Sequence, residues 1–378
     1  MQDVIIVGGG LAGLVSALEL RRAGFAVTLI ERKTYPFHKV CGEYVSNEVR
    51  PYVESLGVDL DALGAARITE FWLSAPSGRL LRSPLDLGGF GISRYVLDEQ
   101  LYQLGLAAGV TFRLGQTVDD VQFADDRFRV ELATGEALSA RLVLGTFGKR
   151  TKLDKTLGRG FMERHGSASR SPYVGVKYHV SGLDFPTDVI ALHNFPDGYC
   201  GMSAIENDAY CFCYLTTRAN VRQHGSIPAM ERAVMAQNPH LRAVFNTATF
   251  LFDRPEVINE VSFVPKRAVE NHLLMAGDAA GLITPLCGNG MAMAIHGARL
   301  ASQLSSRFLR HQLTRPNLEQ TYQREWTRLF GRRLWVGRTV QNLFGQRWVS
   351  EAAVALFGTA KPALRTVMRQ THGEVIAV

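Results

Sequence analysis

The chain has 378 residues, which is too long for one ordinary core and predicts about two domains with an extension. Hydrophobic residues make up 46% and charged residues 20%, a balance that excludes a disordered chain, and no apolar run reaches the roughly 18 residues of a membrane span. The net charge of +7 lies at one end: residues 299–378 hold 13 Lys and Arg against 4 Asp and Glu, whereas residues 1–298 hold 29 against 31.

The cysteines favour a reduced protein without a structural metal. They are odd in number and form no CxxC pair, which argues against a disulfide framework and against a zinc site. They are Cys41, Cys200, Cys211, Cys213 and Cys287. The first apolar run has no basic leader before it, so we expect a cytoplasmic location.

The chain opens with a strand, a helix and a second strand. Gln2–Val7 predicts a buried strand, residues 11–23 a helix that ends at Gly24, and residues 26–30 another strand. Two strands joined by a helix pair in parallel with a right-handed crossover. The opening therefore predicts a doubly wound α/β domain.

A glycine-rich turn joins the first strand to the helix. Residues 8–13 read Gly-Gly-Gly-Leu-Ala-Gly, in which Gly8 permits a tight turn, Gly10 lets a pyrophosphate approach the backbone and Gly13 allows close helix–strand packing. Glu31 follows Gly13 by 18 positions, where a carboxylate can accept hydrogen bonds from ribose hydroxyls. This combination predicts a bound adenine dinucleotide, although the turn alone does not separate FAD from NAD.

The middle and end of the chain predict a second sheet and long helices. Apolar and polar residues alternate over 171–217, with turn signals at 181–182 and 196–198, which indicates an antiparallel sheet. The other predicted elements are a helix at 97–108, strands at 118–123, 127–133, 141–145 and 273–277, a helix at 288–311, and Arg-rich helices after Pro316.

A second group of candidate residues lies where the late strand meets the long helix. Asp278 stands in Met-Ala-Gly-Asp-Ala-Ala-Gly, and Pro285 opens Pro-Leu-Cys-Gly-Asn-Gly-Met. A carboxylate here can hold ribityl hydroxyls, and a helix N-terminus at 288–291 can stabilise negative charge on the pyrimidine edge of a reduced flavin. These residues favour FAD.

With these motifs the sequence resembles the flavoprotein family that includes p-hydroxybenzoate hydroxylase, flavin halogenases and geranylgeranyl reductases. In that family a G-D-A-A segment and a P-x-x-G-x-G segment contact the flavin, and an Arg-x-x-Leu-Asp motif, matched by Arg94 and Asp98, supplies an arginine to the flavin or its phosphates. The alternative for Arg94 is a surface salt bridge. The resemblance implies FAD contacts from Gly8, Gly10, Leu11, Ala12, Gly13, Glu31, Arg32, Cys41, Gly42, Arg94, Asp278, Pro285, Gly288, Asn289, Gly290 and Met291.

The resemblance also implies a division of the chain. A Rossmann-like FAD-binding domain is expected from residues 1–70, 95–165 and 265–310, and an inserted antiparallel substrate-binding sheet from 71–94 and 166–264. Residues 311–378 are expected to form a helical C-terminal region.

Cys41 is the candidate catalytic residue. It lies in a Pro-x-x-Lys-x-Cys-Gly segment, residues 36–42, like that of the geranylgeranyl-reductase branch. A thiol near the flavin can donate a proton to a carbon that has taken hydride, or guard that face; the alternative is a buried small hydrophobe. His38 and Glu43 beside it are expected to be structural, and Cys200, Cys211 and Cys213 to belong to the sheet core.

These residues predict an FAD-dependent oxidoreductase. The leading hypothesis is reduction of a carbon–carbon double bond in an apolar substrate. The alternatives are a monooxygenase acting on an aromatic or polyketide-type substrate, and a non-catalytic flavoprotein that serves as a binding partner. The sequence has no second nucleotide-binding unit, so either NAD(P)H docks transiently at the flavin or another donor reduces it.

The basic C-terminal region predicts a contact surface. Arg324, Arg328, Arg332, Arg333 and Arg338 alternate with apolar side chains such as Trp326 and Trp335. Such a surface can meet an anionic membrane peripherally or an acidic acyl carrier protein, and the alternative is a solvated face. No nucleic-acid-binding module is present in the sequence.

Overall fold

The structure is a computed structural model that describes residues 2–149, 151–163, 173–261, 263–284, 288–343, 346–359, 364, 368–370 and 373–376. In chain order its strands are β1 (Gln2–Val7), β2 (Val27–Glu31), β3 (Tyr44–Ser46), β4 (Ala66–Ser74), β5 (Leu80–Gly91), β6 (Thr111–Leu114), β7 (Val118–Ala124), β8 (Arg127–Leu132), β9 (Ala137–Gly145), β10 (Tyr173–Ser181), β11 (Val189–Phe195), β12 (Gly198–Ala204), β13 (Tyr210–Thr217), β14 (Thr249–Phe250), β15 (Glu256–Val261), β16 (Val269–Glu270) and β17 (Leu273–Met275). Its helices are α1 (Leu11–Arg22), α2 (Arg50–Ser55), α3 (Arg94–Ala108), α4 (Lys152–Thr156), α5 (Gly160–Glu163), α6 (Arg218–His224), α7 (Ile227–Ala233), α8 (Pro239–Thr247), α9 (Gly290–Leu309), α10 (Arg315–Leu343) and α11 (Arg347–Thr359).

The first sheet is the expected parallel one. Its order is β16-β17-β9-β1-β2-β6, and β1 pairs in parallel with both β2 and β9, as β9 does with β17. The apolar run Val4–Val7 is buried, because helices cover a parallel sheet on both faces. The prediction of a doubly wound α/β fold is confirmed.

The second sheet has the order β14-β10-β13-β12-β11-β4-β5-β3, with β15 on the outer side of β10. The predicted antiparallel pairing holds for β10 through β13, whereas β4 and β11 pair in parallel. This sheet also includes β3, so it begins earlier in the chain than residue 71. The division into domains by residue range stays a prediction.

The helix ends follow local capping. α3 begins at Arg94, three residues before the predicted start, because the Ser93 hydroxyl accepts a hydrogen bond from the Val96 N–H at 3.1 Å. α1 ends within one residue of the prediction, and α9 spans 20 residues inside the predicted 288–311.

α10 packs on the first sheet and on α9. Its Tyr322 hydroxyl donates a hydrogen bond to the carbonyl of Met275 in β17 at 2.7 Å, and a Cβ at Gly281 would lie 2.8 Å from the ring of Trp326. Tyr322, Trp326 and Phe330 are buried. The helical C-terminal region therefore shares the core of the nucleotide-binding half. No helix in the described ranges has the length and apolar character needed to cross a membrane.

Candidate functional site

The glycine turn after β1 packs backbone against backbone. Gly8 has φ +105°, and a Cβ there would lie 2.6 Å from the carbonyl oxygen of Thr146, just after β9. A Cβ at Gly13 would lie 2.0 Å from the carbonyl oxygen of Gly8. No larger residue fits at either position, which is the physical reason for the glycines.

Glu31 is joined to this turn. One oxygen of its carboxylate accepts a hydrogen bond from the Gly9 N–H at 2.7 Å, and the other from the Lys33 N–H at 3.1 Å. The side chain is buried at the end of β2, and each carboxylate oxygen keeps a further acceptor site. Its role at a ribose stays a prediction, and the geometry fits that role.

Two cations flank the open space above Gly10. Nη2 of Arg94 and Nζ of Lys39 each lie 3.9 Å from where a Cβ of Gly10 would stand. Asp98 accepts two hydrogen bonds from Arg94, both at 2.7 Å, and forms an ion pair with Lys39 at 3.1 Å. The Arg94–Asp98 ion pair is buried and does not lie at the surface, since the Asp98 side chain is only 1% exposed. Burial lowers the pKa of Arg94, but the charge and hydrogen bonds of Asp98 raise that pKa above its usual value.

The region beside Gly10 therefore carries two positive charges and one negative charge. Arg and Lys in this arrangement suit a diphosphate, which the free N–H groups at the start of α1 also favour. The sequence reasoning missed Asp98 as the partner of Arg94, although the i, i+4 spacing of the two residues on one helix signals the pair. It also missed Tyr35, whose hydroxyl donates to the Gly9 carbonyl at 2.6 Å.

The turn after β17 lies at the same edge of the sheet as the glycine turn. β1 and β17 are separated only by β9, and all three run in parallel. A Cβ at Gly277 would lie 3.2 Å from the Cβ of Ala12 in α1. This edge forms the crevice at the carboxyl ends of the strands, where doubly wound sheets bind nucleotides.

Asp278 stands in a short 3-10 turn at this edge, half-buried. Its backbone carbonyl accepts a hydrogen bond from Nζ of Lys266 at 2.8 Å, and the next carbonyl, that of Ala279, accepts one from Arg159 at 3.0 Å. Burial lowers the pKa of Lys266 to about 8. Two cations, the half-buried Lys266 and the buried Arg159, therefore hold the turn by its backbone carbonyls, and neither of these bonds uses the Asp278 carboxylate.

The N-terminus of α9 follows the predicted flavin segment. Gly288 has φ +62° and a Cβ there would lie 3.2 Å from the ring of Tyr44, while Asn289 and Met291 are buried and α9 starts at Gly290. Pro285, predicted to contact the flavin, lies outside the described residues, as does Cys287. Arg32, another predicted contact, is exposed at the end of β2.

The loop that carries Cys41 lies on the second sheet. The Cys41 carbonyl accepts a hydrogen bond from the Cys211 thiol at 3.2 Å, and the Gly42 carbonyl one from the Ser203 hydroxyl at 3.5 Å. Cys41 is partly exposed, whereas Cys211 is buried and burial raises the pKa of its thiol. Of these thiols, that of Cys41 is the one open to a ligand.

Glu43, next in this loop, is the centre of a buried ion cluster. It has φ +54°, and its carboxylate accepts hydrogen bonds from Lys177 at 2.5 Å and from the backbone N–H of Arg94 at 2.8 Å, and bonds His179 at 2.6 Å. Glu43 and Lys177 are both 0% exposed. Burial would raise the pKa of Glu43, but the positive charge of Lys177 and the hydrogen bond of His179 bring it down to about 2.

Glu43 was expected to be structural, and the structure gives it a more specific role. Its carboxylate connects the Cys41 loop both to β10 and to α3. Lys177 and His179 were not singled out from the sequence. Their signal is two polar residues at i, i+2 within the otherwise apolar stretch of β10, which places both on one face. In the described part of the chain, no group of His, Cys, Asp or Glu has the arrangement of a metal site.

Comparison with known proteins agrees with this geometry. A family model described as an FAD binding domain matches residues 1–330. The chain is similar to conditioned medium factor receptor 1 of Dictyostelium discoideum, with 25% identity over 94% of this chain and 73% of the relative. It is also similar to digeranylgeranylglycerophospholipid reductase 2 of Methanopyrus kandleri, with 25% identity over 87% of this chain and 83% of the relative. The fold matches that of a flavoprotein/dehydrogenase from Cytophaga hutchinsonii with a TM-score of 0.79, at 16% identity over 97% and 92% of the two chains.

The residues present fit FAD. The glycine turn, Glu31, Lys39 and Arg94 would hold the ADP half, and Asp278 with the start of α9 would hold the flavin half.

Glu31→Ala should release FAD more easily while the protein stays folded, because a ribose hydroxyl pair loses a charged acceptor at a cost of about 1.5–3 kcal/mol. Equilibrium dialysis against FAD measures this, with Glu136→Ala, on the exposed β8–β9 turn, as the matched control. Equal FAD affinity in Glu31→Ala and wild type would remove Glu31 from the ribose.

The Glu43 cluster gives a stability prediction. Glu43→Gln leaves Lys177 buried without its carboxylate, which should lower the free energy of unfolding by about 3–5 kcal/mol. Glu131→Gln makes the same change in an exposed pair with Arg129 and should lower it by less than about 1 kcal/mol. Urea unfolding compares the two variants, and similar midpoints would contradict the prediction.

Proposed function

Because the chain belongs to the FAD binding domain family, whose model covers residues 1–330, we propose that it is an FAD-dependent reductase that saturates carbon–carbon double bonds of an isoprenoid lipid. The observation that carries the proposal is the Cys41 loop, which has a partly exposed thiol and whose backbone is bonded to Cys211 of the second sheet and, through Glu43, to the start of α3. The Methanopyrus relative, a reductase whose name specifies a digeranylgeranyl lipid, supports the substrate class.

Reduction of a double bond requires a hydride on one carbon and a proton on the other. Reduced FAD supplies the hydride when it is bound. Cys41 is the group proposed to deliver the proton, and Lys177 and Arg94 are the cations that interact electrostatically with it. The carboxylate of Glu43 bonds Lys177 and the backbone N–H of Arg94, which anchors the loop that carries the thiol.

The remaining site residues bind and orient. Gly10, Lys39 and Arg94 hold the diphosphate, and Asp278 with the start of α9 holds the flavin end. NAD(P)H docking transiently, or another donor, reduces the flavin. We expect the apolar substrate to approach along the second sheet, which supports the Cys41 loop through Ser203 and Cys211.

The reaction can be tested without oxygen. Protein with FAD reduced by dithionite, mixed anaerobically with a geranylgeranyl lipid, should reoxidise its flavin and add two hydrogens per double bond.

Cys41→Ser should slow flavin reoxidation by about 100-fold with FAD content unchanged, because a positioned proton donor contributes about 10²–10⁴-fold. Cys200→Ala, a thiol change within the buried sheet, is the matched control and should react at the wild-type rate.

The other outcomes separate the alternatives. Product formed only in the presence of oxygen would make the protein a monooxygenase and overturn the reductase. Bound FAD that turns over with no substrate would make it a binding protein, a class to which the receptor name of the Dictyostelium relative points. Wild-type rates in Cys41→Ser would return that thiol to a packing role.

We also propose that the C-terminal helices dock on an anionic membrane. α10 exposes Arg324, Arg328, Arg332 and Trp335 along one stripe, and α11 exposes Trp348, Ala352 and Leu356 at i, i+4 and i+8. Trp335 and Trp348 are 62% and 71% exposed. Basic residues attract anionic headgroups, and exposed tryptophans insert at the interface.

Two residues of the expected basic surface are not part of it. Arg333 is buried and pairs with Glu48 at 3.1 Å, and Trp326 packs in the core. The reason is helical period: α10 turns one face to the core and the other to solvent, and positions 326 and 333 lie on the core face. Replacing Arg333 would leave Glu48 buried without a charge partner, so it is unsuitable for testing the surface.

Membrane docking predicts co-sedimentation with phosphatidylserine vesicles, and not with phosphatidylcholine vesicles, at low salt. The double variant Arg324→Gln and Arg332→Gln should weaken binding by about 2 kcal/mol, since each basic residue near an anionic surface contributes about 1 kcal/mol. Arg127→Gln with Arg129→Gln, on the exposed face of β8, removes equal charge elsewhere and should bind as wild type does. Equal loss in both double variants, or binding to an acidic acyl carrier protein instead of vesicles, would contradict this surface.

A further inference from the structure

A cavity of about 910 Å³ lies between α9, α10, β5 and the C-terminal segment at 373–376. Its polar wall carries His296 and Arg299 from α9 and Arg328 and Arg333 from α10. Its apolar wall is formed by Leu85, Leu329, Met368, Val375 and Ile376. Cavities of this size hold small organic ligands, and this one has a cationic side and an apolar side.

The arginines of the cavity differ in how they are neutralised. Arg333 pairs with Glu48 at 3.1 Å, and Arg328 with Glu325 at 2.8 Å. Within the described residues, Arg299 has no carboxylate in hydrogen-bonding contact; its guanidinium lies 5.2 Å from the centre of the Tyr52 ring and interacts with Glu19 through charge alone. Arg299 is therefore the cation left to receive a ligand.

His296 lies in the positive electrostatic field of this cavity. Its Nδ1 is buried, and none of the described residues bonds it. Burial lowers the pKa of His296 to about 4, and Arg333, Arg299 and Arg328 lower it in the same direction. Three positive charges therefore act electrostatically on one neutral ring, and they favour an anion placed beside it, where Arg299 can contact that anion.

The acidic groups at the cavity do not cancel this field at α9. Asp86 lies on β5 and pairs with Arg369 at 2.7 Å, and Glu374 is exposed in the C-terminal segment. His296 and Arg299, at i and i+3, share one face of α9. The local excess of positive charge is on that face.

The cavity also reaches the predicted flavin end of the site. Tyr44 lines it, and the same ring lies beside Gly288, where a Cβ would be 3.2 Å away. Arg299 lies nine residues beyond Gly290, about 13 Å along the axis of α9. One end of a ligand can therefore lie near the flavin segment while a charged end lies at Arg299.

We propose that this cavity binds the phosphate ester head of an amphiphile. Arg299 and His296 bind the phosphate, and the hydrocarbon chain of the amphiphile packs against the apolar wall. The planar guanidinium of Arg299 suits the oxygens of a phosphate, and the free nitrogen of His296 can donate to one of them in its N–H tautomer. The inference rests on the proposed function in one respect: it assigns the amphiphile as the lipid substrate of the reductase.

Calorimetric titration of the FAD-loaded protein with decyl phosphate and with inorganic phosphate, at low salt, tests the site without turnover. Bound FAD keeps the probes out of the diphosphate site at Gly10. Decyl phosphate should bind at least about tenfold more tightly than inorganic phosphate, because burial of each CH₂ contributes about 0.8 kcal/mol. Arg299→Gln should weaken decyl phosphate by about tenfold or more, because an anion loses a charged hydrogen-bond partner.

Arg307→Gln is the matched control, since it removes an exposed arginine from the same helix outside the cavity. Wild-type binding in that variant, and in the Arg324 and Arg332 double variant, locates the probe in the cavity. If Arg299→Gln does not fold, Arg299→Lys and His296→Phe replace it, and each should weaken decyl phosphate several-fold.

Three results would overturn the site: no binding to wild type, equal binding to Arg299→Gln, or equal affinity for the two phosphates. Equal affinity for decyl phosphate and inorganic phosphate would mean that the cavity binds only the phosphate group and not the alkyl chain. Binding is measured without a reductant, so the two proposals fail separately. Protein that binds decyl phosphate and reduces no double bond overturns the reductase alone, and the reverse pattern overturns the cavity alone.

Discussion

The contact between the glycine turn and the segment after β9 is the constraint on which the rest of the site depends. At Gly8 and Gly13 the backbones approach more closely than any Cβ allows. The turn is thereby fixed at the carboxyl edge of the sheet, and Gly277 brings the turn after β17 against α1 at the same edge. The two parts of the predicted FAD site are brought together by these close approaches, because each part is built on backbone that a side chain would push apart.

The second constraint is electrostatic and joins the Cys41 loop to β10 of the second sheet and to α3. Glu43 has a left-handed backbone conformation, and its two carboxylate oxygens bond Lys177 and His179 of β10. Removing such charges from water is costly, so the cluster persists only while all its partners are in place. It therefore anchors the loop at a point two residues after Cys41.

α10 explains why the positive charge is concentrated near the C-terminus. Its inner face carries Tyr322, Trp326 and Phe330 into the core beside α9, whereas its outer face is basic. The proposed membrane surface and the phosphate cavity occupy adjacent faces of the same stretch of this helix, and Arg328 contributes to both.

Local patterns in the sequence determined the parallel start of the fold, the glycine turn, Glu31 and the long C-terminal helices. These depend on period and spacing within about thirty residues, and the structure confirms the elements. Only the tertiary structure decided that Glu43 meets Lys177 across 134 positions and that Arg333 turns inward to Glu48 across 285. The physical reason is that a charge takes its partner from whatever the folded chain brings within hydrogen-bonding distance, and no local pattern encodes a neighbour contributed by a distant strand or by the far end of the chain.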